Sequence, residues 1–198
     1  MTIIGVTGSI ASGKTTFAKL FSQRKFPIFS ADEEVKNLYK TRSVINEIKR
    51  KLNINTTKTL KKKIGESIKK DIKFLRVIEN IIHPKVRNKM KKFINDNKKK
   101  YIIILEIPLL FESKLNNYFD VIFFVHSSKK KRMLRYIKKG GNKKLFSILD
   151  RKQIKPSLKI KLSDHVVNNN ATLNALKKNV RILRNRYEWD NFRYRNYR

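Results

Sequence analysis

Short runs of apolar, β-branched residues alternate along the chain with stretches of helical periodicity. Residues 2–7 (TIIGVT) read as a buried strand. A glycine-rich turn follows at residues 8–13, and Phe17, Ala18, Leu20 and Phe21 then recur at helical spacing. Residues 26–30 predict a second short strand. Residues 31–40 predict a helix that opens on Asp32, Glu33 and Glu34, acids suited to the positive end of a helix dipole. Residues 43–100 are mostly helical in pattern, with a loop expected at 53–57 and an interruption at Pro84, just after His83. Residues 101–105 (YIIIL) and 120–125 (DVIFFV) are continuous apolar runs, the mark of strands covered on both faces in a parallel sheet. Between residues 127 and 156 the chain is very basic and breaks at Gly140-Gly141, which predicts a mobile helical segment. A last short strand is expected at 164–167 and a final amphipathic helix at 173–186, on Leu173, Leu176, Val180 and Leu183. Nothing in the pattern assigns a role to the aromatic, basic tail from 187 to 198. Strands alternating with helices in this way predict a three-layer α/β fold with a parallel central sheet. Ligands of such folds sit at the carboxyl ends of the strands.

The turn after the first strand carries the chemistry. Gly8, Ser9, Ile10, Ala11, Ser12, Gly13, Lys14 and Thr15 match G-x-x-x-x-G-K-[ST] without a mismatch, between a predicted strand and a predicted helix. The glycines let the loop wrap with its N–H groups inward, so that those groups and the helix N-terminus bind phosphate oxygens. Lys14 places a charge on the β- and γ-phosphates, and the Thr15 hydroxyl is suited to ligate Mg²⁺. ATP with Mg²⁺ is the expected donor, and a P-loop kinase the expected class.

Four further positions draw attention by their place in the pattern. Asp32 follows the second strand, where a carboxylate beside the loop would accept the proton of an acceptor hydroxyl and orient it for in-line attack; the alternative is a helix-capping role. Glu106 ends the third predicted strand, either to hold a Mg²⁺-bound water or to hydrogen-bond the loop. Arg132 and Arg135 lie in the basic segment, where lid arginines would stabilise charge on the transferring phosphoryl group; a solvated basic helix is the competing reading.

Composition narrows the classes. Cysteine is absent, which excludes thiol catalysis and disulfides, and three scattered histidines do not suggest a metal site. No apolar run is long enough to span a bilayer, and the opening residues lack a charged-then-apolar leader, so a cytoplasmic protein is expected. The net charge of +34 is extreme, but its 49 basic residues are spread over the whole chain. That distribution favours a compositional origin over a nucleic-acid surface, and no dedicated nucleic-acid partner is expected. Either way the field attracts nucleotides.

Beyond the loop, the chain resembles the dephospho-CoA kinases from residue 1 to about 187. Ser30-Ala31-Asp32 is similar to that family's Asp-Ala-Asp, Glu79 with His83-Pro84 and Arg87 to its L-E-x-x-x-H-P-x-x-R, and residues 106–112 (EIPLLFE) to its D-V-P-L-L-F-E. Gln153, Asp164 and Asn169 fall at the family spacing. The resemblance implies transfer of the γ-phosphoryl group of ATP to the ribose 3′-hydroxyl of dephospho-CoA, giving coenzyme A and ADP. It implies catalytic roles for Asp32, Lys14 and Arg132, and an ATP site that also takes in Thr16 and Asn169. Asp32, His83, Arg87, Leu109, Leu110 and Glu112 would meet the acceptor. The implied build is a core of residues 1–29, 101–125 and 169–198, an acceptor-binding helical part at 30–100 and a lid at 127–163, in a monomer or weak oligomer. The departures from the family pattern are Ser30 and Glu106 at aspartate positions, Lys129 for glutamine, Tyr136 for an arginine, and a lysine near Lys61 where arginine is usual. Two other readings stand beside this one: a nucleoside or nucleotide kinase of the same fold, and a basic nucleic-acid-binding P-loop protein.

Overall fold

The computed structural model describes residues 1–53, 64, 71 and 73–196. The expected loop beyond Asn53, and Lys61, lie outside these residues. Contacts divide the chain into two units, one of Met1–Ser30 with Asn97–Arg198 and one of Ala31–Asp96.

In the first unit, five strands among the described residues form one parallel sheet: β1 (Thr2–Thr7), β2 (Ile28–Ser30), β3 (Ile102–Glu106), β4 (Val121–His126) and β5 (His165–Asn168), in the order β2-β3-β1-β4-β5. The continuous apolar runs behave as their pattern implies. Ile4, Val6, Ile102, Ile104, Phe123 and Val125 fill one face, while the alternate residues Ile103, Leu105, Ile122 and Phe124 are buried on the other. Helices cover both faces of the sheet. On the first face, α1 (Lys14–Ser22) contributes Phe17, Ala18 and Phe21, and the C-terminal helix contributes Leu176 and Val180. Phe17, Phe21 and Phe123 form a tilted aromatic cluster with ring centroids 5.3–5.7 Å apart.

The second unit contains α2 (Ala31–Leu38), α3 (Arg42–Leu52) and α4 (Lys73–Asp96), joined by a core of Leu38, Val44, Ile48, Leu52, Ile64, Ile78, Ile81 and Ile82. The helix α4 corrects one expectation, because it runs through Pro84 without stopping. Pro84 is exposed, and the buried stripe Ile78, Ile81, Ile82 and Met90 lies on both sides of it. Burial of that stripe outweighs the hydrogen bond that proline cannot donate to the Asn80 carbonyl, a defect that costs about 3 kcal/mol in an isolated helix.

The remaining helices belong to the first unit. The basic segment becomes α5 (Lys129–Lys138) and α6 (Lys143–Lys152), followed by α7 (Pro156–Lys161). The last helix, α8 (Leu173–Asn196), continues through most of the tail that had no assigned role. Its extension has a physical cause at Tyr187. That ring packs 5.6 Å from Phe123, 5.7 Å from His165 and 6.3 Å from Phe21, and its hydroxyl shares a hydrogen bond with His165 Nε2.

Because α4 tolerates Pro84 at a cost, Pro84→Ala should stabilise the protein by about 1–3 kcal/mol, partly offset by the greater freedom of the unfolded chain. Urea unfolding followed by circular dichroism checks this, and a lower midpoint would mean that the helix is built around the proline.

Candidate functional site

The glycine turn closes at the carboxyl edge of the sheet, between β1 and α1. Its shape requires glycine at two positions. Gly13 has φ 100° and caps α1, and a Cβ there would come within 2.2 Å of Asn169 Nδ2. A Cβ on Gly8 would meet the Val125 carbonyl at 2.5 Å and Ser12 Oγ at 2.6 Å. The first intrahelical bond runs from the Phe17 N–H to the Gly13 carbonyl, so the N–H groups of Lys14, Thr15 and Thr16 lie ahead of it at the positive end of the helix dipole. Lys14 is buried, and its Nζ donates to the Ser9 carbonyl at 3.2 Å, which folds the cation back over the loop. Ser12 Oγ is buried with no partner among the described residues, a polar atom inside a cradle whose other groups suit an anion.

Beneath the loop, Glu106 at the end of β3 accepts from Thr15 Oγ1 at 2.6 Å and from Ser30 Oγ, at the end of β2, at 3.2 Å. Glu106 is 1% exposed. One carboxylate therefore ties the first turn of α1 to two strand ends. Hydroxyl and carboxylate oxygens are the donors a hard divalent cation takes, so Thr15 and Glu106 fit magnesium.

Around the loop, the basic helix α5 supplies two arginines. Arg132 is 3% exposed; it pairs with Asp150 at 2.6 Å and donates to the carbonyls of Ser127 at 3.0 Å and Ile10 at 3.3 Å. Its guanidinium also lies 5.7 Å from the Phe146 ring centroid. Arg135 donates to Ser12 O at 3.3 Å, Ser127 Oγ at 3.2 Å and Asn169 O at 2.9 Å. Along the chain Arg135 stands one position out of step with the family pattern, yet its side chain reaches the loop, while Tyr136 turns instead against Phe146, 5.7 Å away between ring centroids. Asn169 completes the support by donating from Nδ2 to the Ser12 carbonyl at 2.8 Å. Gln153 Oε1 accepts from the Ile10 N–H at 3.0 Å.

The Pro108–Glu112 loop lies at the same end of the sheet. Leu110 is wholly buried, with a methyl 3.0 Å from where a Cβ on Gly5 would be, so its side chain has a packing role; Leu109 keeps partial exposure. Glu112 Oε1 pairs with Lys159 at 2.6 Å.

Asp32, His83 and Arg87 belong to the second unit. Asp32 stands in the first turn of α2 and lines an open cavity of about 410 Å³ with Val35, Lys36, Tyr39 and Ile64. On α4, Glu79, His83 and Arg87 follow one another at four-residue steps, which puts them on one face. His83 keeps solvent access, and partial desolvation is the main influence that holds its imidazole below the usual 6.5. The Glu79 carboxylate raises it and the Arg87 guanidinium lowers it by smaller amounts.

Lys159, Asp150 and Asn170 escaped the sequence reading. Asn170 Oδ1 accepts from the Ser128 N–H at 2.8 Å and from Ser127 Oγ at 3.2 Å, and its carbonyl accepts from Lys131 Nζ. Nothing in the sequence separates Lys159 from its basic neighbours; only its burial does.

With the site described, comparison with known proteins places the chain. A family model described as dephospho-CoA kinase matches residues 2–175. The chain belongs to the dephospho-CoA kinase family. A dephospho-CoA kinase from Bartonella quintana is 36% identical over 176 residues, which cover 85% of this chain and 89% of that protein. One from Fusobacterium nucleatum is 33% identical, covering 90% and 94%. A structure of dephospho-CoA kinase from Campylobacter jejuni shares the fold with a TM-score of 0.66, at 23% identity and over 91% of this chain and 94% of that one. The crystal structure of TT1252 from Thermus thermophilus does so with a TM-score of 0.73, at 23% identity and over 92% and 95%. Membership of this kinase family makes the protein a phosphotransferase with a nucleotide substrate. No described helix is long and apolar enough to cross a membrane.

Titration of the imidazole by NMR tests the electrostatics on α4. The three histidines make the signals separable, and His83 should titrate below 6.5. Glu79→Gln should move it further down and Arg87→Gln up, since one removes an attraction for the imidazolium and the other a repulsion. The reverse order would show that the two charges do not face the ring.

Proposed function

We propose that the protein transfers the γ-phosphoryl group of ATP to the 3′-hydroxyl of the ribose of dephospho-CoA, in the cytoplasm, giving coenzyme A and ADP. The observation that carries this reading is the phosphate loop with Thr15 and Glu106 joined beneath it, in a chain matched to the dephospho-CoA kinase family over residues 2–175. The loop N–H groups and Lys14 bind the β- and γ-phosphates. Thr15 and Glu106 hold Mg²⁺, which neutralises charge on the phosphate oxygens when bound. Arg135 and Asn169 brace the loop from the side, which keeps its N–H groups aimed without reorganisation during the reaction. Arg132, with its charge matched by Asp150, packs the lid helices against the loop and presents the edge of its guanidinium there.

Asp32 accepts the proton of the ribose 3′-hydroxyl. The oxygen forms a bond to the γ-phosphorus as the bond from that phosphorus to the β,γ-bridging oxygen breaks, and ADP leaves with the electron pair. His83, Arg87, Leu109 and Glu112 provide acceptor contacts, and residues 127–163 act as the lid. The exchange of Ser30 for aspartate leaves Glu106 as the carboxylate below the loop, hydrogen-bonded by the serine hydroxyl.

Two measurements test the reading. ADP release with MgATP should require dephospho-CoA and should not be supported by adenosine, AMP or CMP; turnover with a nucleotide acceptor instead would discard this substrate. Asp32→Asn should bind ATP normally and lose kcat by about 10²- to 10⁴-fold. Near-normal turnover in that variant would remove Asp32 from the role of base.

A further inference from the structure

Lys159 is 0% exposed in a chain that carries 49 lysines and arginines. Desolvating an ammonium is costly, and a buried ion pair is often no more stabilising than a hydrophobic pair of the same volume. Its place in the hydrogen-bond network gives a reason for it. Lys159 Nζ pairs with Glu112 Oε1 at 2.6 Å and donates to the Pro108 carbonyl at 3.4 Å. The same Glu112 oxygen accepts from the Ile154 N–H at 3.0 Å. The preceding residue, Gln153, faces the phosphate loop and accepts from the Ile10 N–H at 3.0 Å. The Pro108 carbonyl also accepts at 3.2 Å from Thr7 Oγ1, on the residue that leads into the loop. These contacts close a circuit. It leaves the phosphate loop at Thr7, crosses Pro108, Lys159, Glu112 and Ile154, and returns through Gln153 to Ile10. Pro156 at the first turn of α7 sets the backbone that brings Lys159 round to Glu112.

We propose that residues 153–159 are a positioning strap for the phosphoryl transfer, which holds the Pro108–Glu112 loop at a fixed offset from the phosphate loop. This rests on the reading above, in which Glu112 lies on the acceptor side. Gln153 and Lys159 touch no reacting atom. They act by keeping the donor loop and the loop at Pro108–Glu112 in register, where a shift of about 1 Å can cost a hundredfold in rate.

Steady-state kinetics with MgATP and dephospho-CoA on Gln153→Ala, Lys159→Met, the double variant and Gln153→Glu test the strap. Gln153→Ala, at a half-buried position, and Lys159→Met should each lower kcat about ten- to a hundredfold while the KM for MgATP moves less than about twofold. The double variant should lose little more than the worse single one, because both cut the same circuit. Gln153→Glu keeps an acceptor for the Ile10 N–H and should recover most of kcat. Thermal melts separate this from instability, since a purely structural lesion would make kcat follow the folded fraction and let the two losses multiply. If Lys159→Met does not fold, the contrast between Gln153→Ala and Gln153→Glu decides alone. An active parent with kcat unchanged in Gln153→Ala, or with multiplying losses, overturns the strap and leaves the substrate reading intact. A folded parent that is inactive on dephospho-CoA overturns both.

Discussion

A helix that starts at the end of a buried strand exposes a turn of unpaired N–H groups to whatever approaches the sheet edge. Those groups form an anion site only if the turn is held still. In this protein the hydrogen bond from Thr15 to Glu106 does much of that holding. It fixes the first turn of α1 to the end of β3, and Ser30 brings the end of β2 to the same carboxylate. With the parallel register of β1 and β3, one acid sets where the loop sits relative to the sheet. The two arginines of α5, Asn169 and Gln153 then work on a loop whose base is already placed.

The outer contacts are mostly side chain to loop carbonyl. Arg132 reaches Ile10, while Arg135 and Asn169 reach Ser12. Donors directed at the carbonyls turn the opposite side of each peptide, its N–H, away from these side chains. Charge is rationed in the same region. The segment is strongly basic, and Asp150 answers both Arg132 and the more exposed Lys129. The surplus of cations stays at the surface, where it raises the local concentration of phosphate-bearing ligands.

The strands and both sheet faces were legible because a short, continuous apolar run between turn signals fits a strand buried on two sides and little else. The glycine turn was legible because its residues answer to backbone geometry. The path of α4 through Pro84 was not. A proline is a local defect, and whether it ends a helix depends on the apolar surface flanking it, here Ile81 and Ile82 before and Met90 after. The continuation of α8 past residue 186 was hidden for a similar reason, since Tyr187 finds its partners on β4, β5 and α1, far away in sequence.

The sequence by itself determined the class of chemistry: a phosphate loop between a strand and a helix, the acid after the second strand, and the family signatures at residues 79–87 and 106–112. These are local patterns, readable because each residue meets a need set by its immediate neighbours along the chain. Only the tertiary structure decided which cations are spent inside the protein. Among so many lysines and arginines, Arg132 and Lys159 are buried among partners brought from distant segments. Desolvation gives each of them a fixed geometry that no count of charges along the chain can supply.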